Sequence, residues 1–189
     1  MVYPSDSGIT LERGASYTIQ WTTTGLPAKS KLKVELVKGG SDAWILSAGT
    51  TKLSLKWTVG KTIKNATMYA DGDDYRIRVS TLDDSDVDSS DNDFAIGSVT
   101  SLTVSGPATV LGGAAPVQYT CTAHYNFGAD RDVTNSVKWS ATKIKGVKMG
   151  KTGLLATALV TADLPCTITA AYGKGKPPIT GTLDITITP

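Results

Sequence analysis

The densest group of chemically capable side chains is the acidic turn, residues 83–93, which holds six aspartates. Three of them alternate at the spacing of the first oxygen ligands of an EF-hand calcium loop, namely Asp84, Asp86 and Asp88. Ser89 replaces the glycine that such a loop needs at its sixth position, and Ala95 replaces its bidentate glutamate. A complete EF-hand is therefore excluded. The spacing leaves two hypotheses: a looser calcium site on these three aspartates, which Asp71, Asp73 or Asp74 could join, and a solvated hairpin turn without metal.

Two cysteines offer redox chemistry. Cys121 and Cys166 each lie in a segment of alternating apolar and polar residues, and the alternation turns both side chains toward the apolar face. Trp139 lies between them in a third such segment, which is the cysteine, tryptophan, cysteine order of an immunoglobulin core. This order favours a disulfide, worth about 4 kcal/mol for a loop of about 45 residues, and an oxidising compartment. Two buried free thiols are the alternative.

The sequence offers little for catalysis. Its one histidine, His124, is turned outward by the same alternation that turns Cys121 inward. A nucleophile triad needs a histidine base beside a serine or cysteine, and a catalytic zinc site needs several histidine or cysteine ligands. No glycine-rich loop follows a strand and opens a helix, so a phosphate-binding loop is not predicted. We therefore predict no catalytic and no cofactor-binding residues, and a protein that is not an enzyme.

The tryptophans could bind a sugar by stacking. Trp21, Trp57 and Trp139 share the phase of their apolar neighbours, which predicts that they anchor the core. Trp44 stands beside Asp42 and a glycine pair, so it is the one tryptophan that we expect at the surface. It is the only candidate for direct contact with a ligand.

The elements that must position these residues are strands. Alternation marks residues 17–21, 32–37, 53–59 and 75–79 in the first half, and 101–104, 117–125, 137–141, 166–172 and 180–188 in the second. Clusters of glycine, aspartate and asparagine separate them, and no segment has a sustained helical period. The predicted fold is all-β, with two tandem immunoglobulin-like antiparallel β-sandwiches. The 189 residues suit two such domains, with expected boundaries at 1–97 and 98–189.

Charge argues against nucleic acid as a partner. Residues 1–97 carry 11 Lys and Arg against 13 Asp and Glu, and residues 98–189 carry 8 against 4. The basic residues of the second half are scattered, without the clustering and exposed aromatics of a nucleic-acid site. No apolar stretch is long enough to predict a membrane span. The tripeptide at 65–67 matches the N-glycosylation acceptor pattern, which matters only in a eukaryotic source.

The first half resembles a known extracellular module. The residues that carry the resemblance are Tyr3 and Pro4, then 14–21, 56–59, 72–79 and 89–96. Together they look like the Ser/Thr-rich cell-wall-type domain found in yeast β-glucan-assembly proteins and repeated in bacterial secreted proteins. The resemblance covers residues 3–96. It implies a cell-wall-type immunoglobulin or fibronectin-like sandwich.

The second half resembles the bacterial immunoglobulin-like group 2 domain of intimin-like adhesins, surface-layer proteins and phage virion proteins. This resemblance rests on residues 132–140, 153–156, 167–170 and 183–187. The family usually lacks a cysteine pair, so Cys121 and Cys166 depart from it.

Together the two resemblances imply a non-catalytic spacer or adhesion-type module of a larger secreted or cell-surface protein, with neighbouring domains and protein partners. The alternatives are a module that binds cell-wall polysaccharide beside a secreted hydrolase, and a component of a virion or surface layer.

Overall fold

The computed structural model describes residues 2–62, 70–173, 175 and 177–189, except the side chain of Asp42. Every regular element among these residues is a β-strand, which confirms the all-β prediction. The chain divides into two compact units, one formed by Met1–Ser98 with Asn126–Ala129, the other by Val99–Tyr125 with Asp130–Pro189. The glycosylation pattern at 65–67 lies outside the described residues. None of the described elements is a helix that could cross a membrane.

The first unit is a sandwich of a three-stranded and a six-stranded sheet. Its strands are β1 (Val2–Tyr3), β2 (Thr10–Glu12), β3 (Ser16–Trp21), β4 (Leu32–Lys38), β5 (Asp42–Thr50), β6 (Ser54–Thr58), β7 (Gly72–Thr81), β8 (Val87–Ser89) and β9 (Phe94–Gly97). The smaller sheet has the order β1-β3-β6. The larger has the order β2-β9-β7-β4-β5, with β8 paired to β7. All pairs are antiparallel except β2 with β9, which are parallel.

Strand periodicity explains the core of this unit. In β3 and β7, apolar residues alternate with exposed polar ones, as expected for strands with one face on a core. β4 is different, because it lies between β5 and β7 and is buried over most of its length. Its buried residues include one acid, Glu35. The core is closed by large side chains that are almost completely buried, including Tyr75, Phe94, Trp21 and Trp57.

The second unit contains three sheets. Its strands are β10 (Val99–Ser105), β11 (Thr109–Leu111), β12 (Val117–Gln118), β13 (Thr120–Tyr125), β14 (Arg131–Asp132), β15 (Lys138–Ala141), β16 (Lys148–Met149), β17 (Leu154–Ala156), β18 (Leu164–Tyr172) and β19 (Ile179–Thr188). The sheet orders are β10-β13-β14, β11-β19-β18-β15 and β12-β17-β16. The pair β11 and β19 is parallel. The predicted sandwiches are thus mainly antiparallel, and each has one parallel pair that the sequence pattern did not indicate.

The core of the second unit forms around Trp139, Tyr119 and the two cysteines. The indole Nε1 of Trp139 donates to the carbonyl oxygen of Thr134 at 2.8 Å. The hydroxyl of Tyr119 donates to the carbonyl oxygen of Pro107 at 2.9 Å. Both large side chains therefore satisfy their polar atoms while their rings stay buried.

Candidate functional site

The acidic turn, residues 83–93, includes β8, and its first part, residues 83–86, connects β7 to β8 and is held by local hydrogen bonds. Asp84 has a positive φ of 55°, which lets the chain reverse, and the backbone N–H of Thr81 donates to the carbonyl oxygen of Asp86 at 3.0 Å. The hydroxyl of Ser85 donates to Oδ1 of Asp83 at 2.8 Å. The side chain of Thr81, followed by that of Ser85, lowers the pKa of Asp83 to about 2. The turn is therefore ordered by its own side chains.

The structure does not bring Asp84, Asp86 and Asp88 together as the calcium hypothesis requires. Among the residues that the structure describes, no group of three acidic, histidine or cysteine side chains could hold a metal ion. The reason is local. Strand β8 begins between Asp86 and Asp88, so the chain runs extended there instead of curling into a loop, while the Asp84 carboxylate lies 3.0 Å from Nζ of Lys33. The solvated hairpin turn is the interpretation that this geometry favours.

A charge network extends from the acidic turn into the larger sheet. Nζ of Lys33 lies 3.0 Å from Asp84 and 3.5 Å from Oε2 of Glu35. Nε and an Nη of Arg78 also donate to this Oε2, at 3.0 and 2.8 Å. Asp84 raises the pKa of Lys33, and the pKa of Asp84 is lowered first by the Ser80 hydroxyl and then by Lys33. The network ties the turn to β4 and β7.

A cleft of about 410 Å³ lies beside the acidic turn. We call it the β8 cleft. Its lining consists of Val2, Trp21, Thr22, Thr23, Thr24, Leu26, Leu32, Val79, Ser80, Asp86, Val87 and Asp88. Strands β1, β3, β4, β7 and β8 all contribute residues, so the cleft is positioned by both sheets of the first unit. It combines an apolar lining with hydroxyl groups and two carboxylates, a composition that is typical of a ligand site.

Trp44 is less exposed than its neighbours in sequence suggested, and its contact with a ligand stays a prediction. It is half-buried on β5 and packs against the core of the first unit. Its ring centroid lies 6.3 Å from that of Tyr75, with the planes inclined by 51°. The neighbouring Asp42 and glycines suggested exposure. However, β5 lies on the larger sheet, and the side chain of Trp44 reaches the buried ring of Tyr75.

The predicted disulfide is absent from the structure, where Cys121 and Cys166 are free thiols. Both are buried, with exposures of 0% and 3%, on strands β13 and β18 of different sheets. Burial raises the pKa of the Cys121 thiol. The alternation thus placed both side chains in the core correctly. The alternation does not determine the distance between the two sheets, and the formation of a disulfide depends on that distance.

A hydroxyl, imidazole and carboxylate form a hydrogen-bonded array in the second unit that the sequence analysis missed. Nε2 of His124 lies 2.8 Å from Oγ1 of Thr103, and its Nδ1 lies 2.7 Å from Oδ2 of Asp130. The connectivity is that of a nucleophile, a base and an orienting acid. Thr103 and Asp130 are exposed, so water competes at both ends of the array. No sequence spacing could reveal it, because it depends on the pairing of β10 with β13.

Comparison with known proteins shows only distant similarity. No family model matches the chain, and no curated protein matches it. The fibronectin(III)-like modules of Clostridium thermocellum CbhA are 16% identical to it, over 100% of this chain and 92% of that chain, with a TM-score of 0.38. Three N-terminal domains of the bacteriophage RB49 Highly Immunogenic Outer Capsid protein are 16% identical, over 95% of this chain and 55% of that chain, with a TM-score of 0.46.

A C-terminal fragment of intimin, solved with the intimin-binding domain of its translocated receptor, is 13% identical. The match covers 92% of this chain and 57% of that chain, with a TM-score of 0.34. This chain therefore spans little more than half of the capsid protein and intimin chains. The immunoglobulin-like assignment rests on the strand order of each unit, and the resemblances to the cell-wall-type and group 2 families stay predictions.

Proposed function

We propose that the chain is a non-catalytic spacer module of a larger secreted or cell-surface protein, built from two domains at about residues 1–97 and 98–189. The observation that carries this proposal is the presence of two separate hydrophobic cores, each enclosed by its own sheets. A module whose role is to hold other parts of a protein apart needs small, self-contained folding units of this kind.

Several ionic side chains of the first unit support the same proposal, because they pair with one another. The carboxylate of Asp93 lies 2.6 Å from Nε of Arg76, and Asp74 pairs with Lys38. Glu35 pairs with Arg78. These three carboxylates are paired with basic side chains, which supports a structural role for them.

Force spectroscopy on the full chain tests the spacer proposal. Two separate cores predict two unfolding events, each releasing roughly 300 Å of extended chain at about 3.3–3.6 Å per residue. A single event that releases the whole chain would contradict the proposal, because it would mean that the cores unfold as one.

An esterase assay tests the non-catalytic part of the proposal. We expect any hydrolysis of p-nitrophenyl acetate to be unchanged by His124→Ala, because the array of His124 with Thr103 and Asp130 faces solvent. Thr103→Val is the second variant, since it removes the hydroxyl and keeps the side-chain shape. A loss of turnover in both variants would overturn the assignment as a non-enzyme.

A further inference from the structure

The β8 cleft contains an unusual pair of polar atoms. Among the described residues, two buried side-chain polar atoms have no hydrogen-bond partner, Nε1 of Trp21 and Oγ of Ser80, and both residues line this cleft. The other two core tryptophans differ, since Nε1 of Trp57 donates to the carbonyl oxygen of Lys61 at 2.9 Å and Trp139 is also satisfied. Burying a polar group without a hydrogen-bond partner is costly, so the indole N–H of Trp21 in particular calls for a functional explanation.

The two groups have different surroundings. Trp21 is 4% exposed and Ser80 is 1% exposed. The Ser80 hydroxyl is near enough to the Asp84 carboxylate to lower its pKa, although the two do not form a hydrogen bond of normal geometry. The Trp21 indole N–H has no such neighbour. The Trp21 indole N–H therefore reports better than the Ser80 hydroxyl on a ligand that supplies a hydrogen-bond acceptor.

The lining restricts the chemistry of that ligand. Asp86 and Asp88 are exposed carboxylates at the cleft, which repel anions and accept hydrogen bonds from O–H or N–H donors. The Trp21 indole is a donor and needs an oxygen acceptor, which a simple ammonium group lacks. Leu32 and Val79 add apolar surface that suits C–H groups. Donors, acceptors and C–H faces occur together in a polyhydroxylated ring.

We propose that the β8 cleft binds an uncharged sugar residue. One or two sugar rings are suited to a cleft of about 410 Å³, near the lower end of the range for small-molecule sites. Sugar hydroxyls donate to Asp86, and a sugar oxygen accepts from the Trp21 indole. Nε1 of Trp21 is shielded from solvent. The sugar oxygen therefore reaches this indole N–H only after a small movement of the exposed segment 22–24. The proposal goes beyond the spacer function and does not depend on it.

The test is an NMR titration of the full chain, read at the four tryptophan indole N–H signals. The probes are glucose, mannose, galactose, xylose and N-acetylglucosamine, each taken to tens of millimolar, with glucosamine as the cationic comparison. We expect at least one uncharged sugar to shift the Trp21 signal saturably while the Trp57 and Trp139 signals stay in place. Trp21→Phe assigns the signal.

A matched pair of variants localises the binding. Asp86→Asn removes a carboxylate of the cleft, and we expect the dissociation constant to rise about tenfold, as for the loss of one charge-assisted hydrogen bond. Asp91→Asn removes an exposed carboxylate that does not line the cleft, and it should bind like the parent. Unchanged indole signals in the free variants show that both are folded.

Four results would overturn the proposal. In the first, no uncharged sugar shifts the Trp21 signal. In the second, only glucosamine shifts it, which would indicate a site for cations. In the third, Asp86→Asn and Asp91→Asn bind equally well. In the fourth, the Trp44 signal responds instead of the Trp21 signal. Either of these last two results would place the ligand elsewhere. Each of these outcomes leaves the two unfolding events of the spacer proposal unaffected.

Discussion

Removing the guanidinium of Arg78 should destabilise the first unit far more than removing that of Arg76, two residues away on β7. Arg78 donates two hydrogen bonds to Glu35, whose side chain is only 7% exposed. Arg78→Met keeps the aliphatic stem and leaves this carboxylate buried. Arg76 pairs with Asp93, and both of these side chains are about half exposed, at 46% and 51%. Arg76→Met is therefore the matched control.

The magnitude follows from burial. Breaking a fully buried ion pair from one side costs about 3–5 kcal/mol. Here Arg78 is itself 34% exposed, and Nζ of Lys33 remains 3.5 Å from Glu35. We therefore expect Arg78→Met to lower the free energy of unfolding by about 2 kcal/mol. That corresponds to a fall in melting temperature of roughly 8–16 °C for a domain of this size. For Arg76→Met we expect less than about 1 kcal/mol.

Urea denaturation and thermal melting measure both variants. Adding Glu35→Gln to Arg78→Met should recover part of the loss, because a buried neutral amide costs less than a buried unpaired carboxylate. If Arg78→Met is as stable as Arg76→Met, or more stable, the burial of Glu35 does not make the loss of its partner costly.

Three further predictions concern the cysteines, the acidic turn and calcium. Cys121 and Cys166 should resist a thiol reagent in the native protein and both react after unfolding; two thiols that appear only after reduction would establish the disulfide instead. The Asp83 carboxyl should titrate in an NMR experiment near pH 2, so its contribution to stability is present above pH 3.8, its ordinary pKa, and is lost as the pH falls through 2. Ser85→Ala should move this midpoint upward, and an unmoved midpoint would refute the contribution of the Ser85 hydroxyl. Millimolar calcium should leave the melting temperature unchanged, whereas a rise would support the calcium-site hypothesis.

The sequence predicted the strands well where one face of a strand meets a core. The alternation in β3 and β18 correctly placed Trp21 and Cys166 inside, since a period of two depends only on local backbone geometry. It was less informative for β4, where Glu35 is buried between neighbouring strands and neutralised by Arg78 across the sheet. A partner 43 residues away leaves no local signal.

The candidate sites depend on tertiary structure and were harder to predict. Trp44 was expected at the surface from its neighbours in sequence, whereas the structure half-buries it, with its ring near that of Tyr75 on another strand. The β8 cleft combines residues from five strands, and the unpaired indole of Trp21 becomes visible only when its surroundings are known. Propensity and spacing describe a segment, whereas a site depends on how segments pack.

The central claim is that the chain forms two separately packed cores, and hydrogen exchange of core variants tests it most directly. Ile77 and Ile168 are fully buried, one in each core, and truncation of either to alanine should cost about 2–5 kcal/mol. We predict that Ile77→Ala accelerates amide exchange in peptides from β3, β4, β7 and β9, while Ile168→Ala accelerates it in β13, β15, β18 and β19. If either variant accelerates exchange equally in both sets of strands, the two cores are one cooperative unit and the claim is wrong.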